Sequence, residues 1–155
     1  MVAQNLSLTV EDPDGTLLGC LIVTDLHGTL ADAPPAGPFP EIAALTHRLT
    51  QSYARSRDVQ PGQIALVDMA AVHPDARGSG VYMFMRKAIQ ARLKAAGWRF
   101  VVGELSSLAT QNVVLEKLGH RNVAEINFSE FKWNGTHPFR AITSPPNLIL
   151  AEGTL

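Results

Sequence analysis

The sequence predicts a mixed fold, an α/β or α+β three-layer arrangement with a mixed central sheet flanked by helices. Three observations predict it. Residues 64–105 read as strand, helix, strand, a βαβ crossover whose strands should be parallel and whose connection should be right-handed. Residues 6–24 read as a β-hairpin around a turn built of Glu, Asp, Pro and Gly. The C-terminal third alternates apolar and polar residues and carries an Asn-Gly dipeptide of the hairpin type. The chain has 155 residues, which suggests one domain over 1–155 with a real core.

Taken in order, Leu6 to Val10 and Leu17 to Thr24 are strand-like runs, separated by Glu11-Asp12-Pro13-Asp14-Gly15. Gly19 and Cys20 inside the second run suggest close packing rather than chemistry. Leu26-His27-Gly28-Thr29 reads as a turn. Residues 31–40 hold four prolines and a glycine and form a stiff loop. A helix follows from about Glu41 to Arg57, with Ile42, Leu45, Leu49 and Tyr53 as its apolar stripe. His47, Arg48, Arg55 and Arg57 fall on its solvated side. Ile64 to Val72 is an apolar run bounded by Gly62 and Pro74, which suits a buried strand. His73-Pro74-Asp75 ends it, because proline cannot continue a ladder and restricts the residue before it.

Arg77-Gly78-Ser79-Gly80 then opens a helix that runs to about Gly97. Val81, Phe84 or Met85, Ala88, Leu93 and Ala96 can face the sheet. Arg86, Lys87, Arg92 and Lys94 would face water. Phe100 to Leu105 is strand again. A helix from about Ala109 to Leu118 is closed by Gly119. The tail alternates through Val123, Ile126, Phe128, Phe131 and Trp133, and Leu148 to Leu150 is a last strand. The predicted order is β-β-α-β-α-β-α-β-β.

Composition narrows the function. Hydrophobic residues make up 46% and charged residues 17%, with a net charge of −1. Bulk charge therefore points to neither nucleic acid nor an anionic membrane. The single cysteine, Cys20, excludes an internal disulfide and fits a reducing compartment. No apolar run approaches the ~18 residues of a membrane span. The N-terminus lacks a basic region followed by an apolar core, so a cytoplasmic location is expected. The five histidines show no paired metal spacing, and with one cysteine no metal site is expected.

The stretch with chemical content is the glycine turn. Two glycines let the backbone turn tightly and approach a ligand. The N–H groups that start a helix have no intrahelical partners, and the helix dipole places partial positive charge there. With Arg77 beside it, such a turn suits a phosphate or pyrophosphate. It is not a P-loop, since no Gly-Lys-Ser/Thr follows, and it lacks the third glycine of a dinucleotide fingerprint.

Val72, Pro74, Arg77, Gly78 and Gly80 together resemble the acyl-CoA-binding motif of the GCN5-related N-acetyltransferase (GNAT) superfamily. Leu115-Glu116-Lys117-Leu118-Gly119 resembles the signature that closes the superfamily's second conserved helix. The stretch 124–146, with Asn134-Gly135, Pro138-Phe139 and Pro145-Pro146, resembles the tail of arylalkylamine-type N-acyltransferases and related bacterial members. The resemblance covers about residues 64–150. It implies the GNAT fold and acetyl-CoA, or a close acyl-CoA, as cosubstrate. It further implies that Ala70 and Val72 offer backbone groups to the pantetheine arm. Arg77, Gly78, Ser79, Gly80, Val81 and Tyr82 would then surround the pyrophosphate.

The sequence also departs from the superfamily's pattern. Tyr82 stands where Gly or Ala is usual. His120 follows Gly119 where an aromatic is usual. Leu115 replaces the tyrosine that many members use as general acid. The chain begins at what would be the second strand, so the N-terminal strand and helix segment over the acceptor site is expected to be missing or short. The early catalytic glutamate of arylalkylamine-type enzymes has no counterpart.

The chemistry this implies is amine acylation. A thioester is already activated, so the protein must bind CoA, hold a neutral amine and accept a proton. The candidates lie on the strands flanking the splay. Asp68 is a carboxylate in an apolar run, either paired or pointed into a cleft. Glu104 ends the next strand as a candidate base. Ser107 matches a serine of the arylalkylamine-type motif, or else caps the helix that follows. The expected function is direct transfer of an acetyl or small acyl group to a small-molecule or peptide amine, with no covalent intermediate. The alternative is a non-catalytic CoA-binding or regulatory module. A homodimer could supply the missing cover.

Overall fold

The computed structural model describes residues 6–30 and 37–155. Most of the proline-rich stretch expected as a stiff loop lies outside the described residues. The described chain forms β1 (Leu8–Glu11), β2 (Leu17–Asp25), α1 (Pro40–Ala54), β3 (Ile64–Val72), α2 (Val81–Ala95), β4 (Phe100–Leu105), α3 (Leu108–Gln111), β5 (Arg121–Asn127) and β6 (Asn147–Thr154). The element order is the predicted one. A 3₁₀ turn over Leu26–Thr29 follows β2, and α3 continues as a π-helical turn over Asn112–Lys117.

The strands make one six-stranded sheet in the order β1-β2-β3-β4-β6-β5. β1 and β2 pair antiparallel, as the Asp12–Gly15 turn requires: Asp12 Oδ1 accepts from the N–H groups of Asp14 and Thr16. β3 and β4 are the parallel pair joined by α2. The fold is thus the mixed sheet flanked by helices that the sequence predicts.

The two faces have separate cores. On one, α1 lays Leu45, Leu49 and Tyr53 over Ile64, Leu66, Val102 and Leu150. On the other, α2 lays Met85, Ile89 and Leu93 over Leu21, Val23, Ala65, Val67 and Val101. Gly19 allows close approach here, since a Cβ on it would lie 2.9 Å from Met85 Cε and 3.0 Å from the Ala71 carbonyl. Met85, fully buried, is the sheet-facing residue of the Phe84/Met85 pair, and Phe84 is 61% exposed.

Several expectations about faces are corrected. Arg86 does not face water: it is 1% exposed and packs on Gly103 of β4, where a Cβ would lie 2.7 Å from Nη1. Ala96 is exposed, because the helix ends at Ala95 and turns away through Gly97 at φ +86°. Arg57 is not simply solvated. It bonds buried Glu152 at 2.6 Å and lies over the rings of Tyr53 and Phe100. Phe131 and Trp133 belong to no strand. The chain leaves β5 at Asn127, and the Asn134-Gly135 turn closes only a short bridge between Trp133 and Thr136. Phe131 is buried in the α1-side core all the same.

Candidate active site

The parallel pairing of β3 and β4 runs from Ile64↔Phe100 to Val67↔Gly103 and stops there. Beyond that point β3 stays with β2 as far as Val72, and β4 stays with β6 as far as Leu105. The sheet therefore forks. The first residues past the last parallel pair are Asp68 and Glu104. Asp68 is also the residue skipped in the β2–β3 register, where Ile22 pairs with Met69 but Val23 pairs with Val67. A bulge there bends the strand away from its neighbour. The second half of β3 is accordingly solvent-accessible while its first half is buried.

Two cavities meet at the fork. One, about 830 Å³, runs between the end of β3, the glycine turn, the start of α2 and α3. Ala70, Val72, Arg77, Gly78, Gly80, Val81, Tyr82 and Ser107 all line it. Ser79 does not: its hydroxyl turns back and donates to the Ala76 carbonyl at 2.6 Å. The second cavity, about 520 Å³, lies on the α1 side and contains Asp68 and Glu104 together with Ile42, Leu45 and Thr46 of α1. Ala70, Tyr82 and Thr110 border both.

The local sequence explains the glycine turn. Gly78 and Gly80 sit at φ +77° and +88°, where a side chain would be strained, and a Cβ on either would meet only open space. Gly80 is the cap of α2 and offers no side-chain acceptor. The N–H groups of Val81, Tyr82 and Met83 precede any helical acceptor and stand at the cleft with the dipole behind them. Arg77 and Lys117 bring cationic side chains to the same cleft. Sequence reasoning gave Lys117 no role, although it stands inside the Leu115–Gly119 string that carries part of the resemblance.

Glu104 is largely buried, and its carboxyl is pushed up to about 8, first by desolvation and then by the charge of Asp68. Ser107 takes the capping role. Its Oγ accepts from the Thr110 N–H at 3.2 Å, and Thr110 Oγ1 accepts from the Ser107 N–H at 3.3 Å. Among the described residues, the N-terminal half of α1 and Ile142 of the β5–β6 connection form a wall of the second cavity. Ile42, expected in the core, is 46% exposed at this wall.

No protein-family model matches the sequence, and no curated protein sequence matches it. Solved structures do. The C-terminal condensation domain of Ebony, solved with β-alanyl-dopamine, superposes with a TM-score of 0.86 at 13% identity, covering 99% of this chain and 74% of that one. A mosquito arylalkylamine N-acetyltransferase-like protein gives 0.83 at 17% identity, covering 99% and 76%. The NatC complex bound to Gag peptide and CoA gives 0.60 at 12% identity, covering 99% and 75%. The chain has the GNAT acyl-CoA N-acyltransferase fold.

Proposed function

We propose that the protein is an acyl-CoA-dependent N-acyltransferase that moves an acetyl or other small acyl group directly to an amine. The observation that carries this reading is the fork. It joins a cleft with a helix N-terminus, two glycines and two cations to a second cavity holding two carboxylates. The similar solved structures include proteins named for amine acetylation and one solved with CoA, which supports the same reading.

In this reading the CoA pyrophosphate lies on the backbone N–H groups of Gly78 and of residues 80–83, with Arg77 and Lys117 nearby. The pantetheine arm follows Ala70 and Val72 toward the fork. The amine enters from the second cavity, whose apolar wall of Ile42, Leu45, Phe128, Ile142 and Leu148 suits an amine on an apolar body. The neutral nitrogen attacks the thioester carbonyl, the C–N bond forms, and the C–S bond breaks with its electron pair on sulfur. Glu104 takes the proton from nitrogen. Its raised affinity for protons makes it a stronger base than an exposed carboxylate. Asp68 keeps that affinity high. Ser107 shapes the CoA cleft as the cap of α3.

The test is thiol release from acetyl-CoA in the presence of a panel of aliphatic and aromatic amines, beside calorimetric binding of CoA. Amine-dependent thiol release with stoichiometric N-acetylation supports the reading. A folded protein that binds CoA and acetylates nothing would leave only the binding-module alternative.

A further inference from the structure

Acyl transfer leaves a thiolate, and a thiolate forming at the end of a half-buried cleft needs a proton or a counter-charge. Among the described residues, three border both cavities: Ala70, Tyr82 and Thr110. Ala70 has nothing to donate. The Thr110 hydroxyl donates to the Ser107 carbonyl at 2.9 Å and is engaged in the α3 cap. That leaves the phenol of Tyr82, on the first turn of α2.

Burial raises the affinity of the Tyr82 phenol for its proton, and Arg86, four residues further along α2, opposes that rise. A spacing of four is the one that brings two helix side chains together. Arg86 is an unusual residue to bury. Among the described residues no carboxylate lies within ion-pairing distance of it, and its Nε and Nη2 have no hydrogen-bond partner. The neighbouring ionisable group on the same side of the sheet, His120, is also buried and is held below its ordinary range, at about 4, by desolvation and by Arg86 itself. It stays neutral and does not compensate the guanidinium. The fold thus keeps a buried cation with no resident anion, beneath the one phenol at the junction. Gly103, lacking a Cβ, makes the room for it.

We propose that Tyr82 gives its proton to the departing CoA sulfur and that Arg86 holds the phenolate that remains. This rests on the acyltransferase reading. As the C–S bond breaks, the sulfur takes the electron pair and the phenolic proton, giving free CoA thiol. Tyr82 becomes a phenolate beside the guanidinium. Glu104 holds the proton from the amine. Solvent entering the open cleft returns one proton to Tyr82 and removes one from Glu104, and the net reaction is thioester plus amine to amide plus thiol. Arg86 touches no reacting atom and acts as a positioning residue.

The experiment compares wild type, Tyr82→Phe and Arg86→Met in single-turnover transfer to an amine that the wild type accepts, with CoA affinity measured for each. Tyr82→Phe keeps the ring and loses the proton. The single-turnover rate should fall roughly 100-fold, the lower end for a positioned acid, with CoA affinity unchanged. With the acetyl thioester of 2-nitro-5-thiobenzoate, whose thiolate leaves without a proton, wild type and Tyr82→Phe should react equally. A merely structural role would slow both thioesters alike, and that result overturns the proposal. Arg86→Met should slow the acetyl-CoA reaction in the same sense. If that variant does not fold, the Tyr82→Phe comparison decides alone. Equal single-turnover rates for wild type and Tyr82→Phe with acetyl-CoA would sink the Tyr82 assignment and leave the acyltransferase reading standing. A wild type that binds CoA but acylates no amine would sink both.

Discussion

Glu104 ties the candidate chemistry to stability, so one substitution, Glu104→Gln, tests it in two ways. The carboxyl is raised from about 4.5 to about 8 in the folded protein, chiefly by burial and further by Asp68. Between those two values the folded chain binds a proton that the unfolded chain has released. Its contribution to folding stability is therefore fully present below pH 4.5, falls as pH rises, and levels off above pH 8. Every tenfold difference in proton affinity between the folded and unfolded chain is about 1.4 kcal/mol, so the loss is on the order of 5 kcal/mol at most. Glutamine is neutral throughout and keeps the shape. Urea denaturation of both proteins at half-unit steps from pH 4.5 to 9 should show Glu104→Gln gaining on the wild type as pH rises, then running parallel above pH 8. The rate should behave in the complementary way. Amine acylation by the wild type should rise with pH through a midpoint near 8 and level off about one unit higher, and Glu104→Gln should lose about 10²-fold or more at that plateau. Asp68→Asn should move the midpoint of the wild-type rate profile downward, because it removes the neighbouring negative charge and leaves burial in place. Stability curves that stay parallel over the whole range would refute the reasoning, because they would mean that Glu104 titrates as an exposed carboxylate.

Other outcomes can be read on the same protein. Gly80→Trp should abolish calorimetric binding of acetyl-CoA, since its side chain enters the cleft at the cap of α2 and its φ of +88° adds backbone strain of about 1–2 kcal/mol; unchanged affinity would move the cofactor elsewhere. Gly103→Ala should cost about 1–3 kcal/mol in denaturant melts by driving Arg86 off β4, whose Nη1 lies 2.7 Å from the new Cβ. Leu49→Ala, at a fully buried position between α1 and the sheet, should cost about 2–5 kcal/mol. Glu152→Gln should loosen α1 by weakening the contacts that Glu152 makes with Tyr53, Arg57 and Arg121, seen as faster amide exchange in the last turn of α1.

The readings that agree with the structure rest on local signals. The β3 bounds of 64 and 72 come from a glycine and a proline on either side of an apolar run, and both act within a residue or two. The β1–β2 hairpin comes from an aspartate whose side chain closes its own turn. The parts that could not be read depend on distant partners. Glu152 and Gly153 break an apolar pattern, so the last strand reads as Leu148–Leu150 and runs in fact from Asn147 to Thr154. Glu152 is tolerable there only because Tyr53, Arg57 and Arg121 arrive from other elements. Gly153 is required because His120 lies over it, with a Cβ at 2.4 Å from Nε2. Neither fact has a local trace. The same holds for the insertion of β6 between β4 and β5, which no hairpin rule contains.

The candidate site divides along the same line. The residues of the glycine turn stand together in the chain, so their neighbourhood in space was legible. The carboxylates at 68 and 104 are far apart in the sequence, and what makes them neighbours is a register event: the parallel ladder ends at Val67↔Gly103, and Asp68 is bulged out of the β2 pairing. Glycine, arginine and tyrosine at 103, 86 and 82 are a still harder case. A cationic residue in an amphipathic helix reads as solvent-facing, and helical periodicity can place Arg86 in either register because Met85 beside it is apolar. The strand beneath makes room for it at Gly103, where a Cβ would lie 2.7 Å from Nη1. That is also why Gly103→Ala is informative beyond its cost in stability. If Arg86 were a packing accident, evicting it should leave any acyl transfer by the surviving folded protein unchanged. If it holds charge for Tyr82, the folded fraction should lose rate with acetyl-CoA while still binding it.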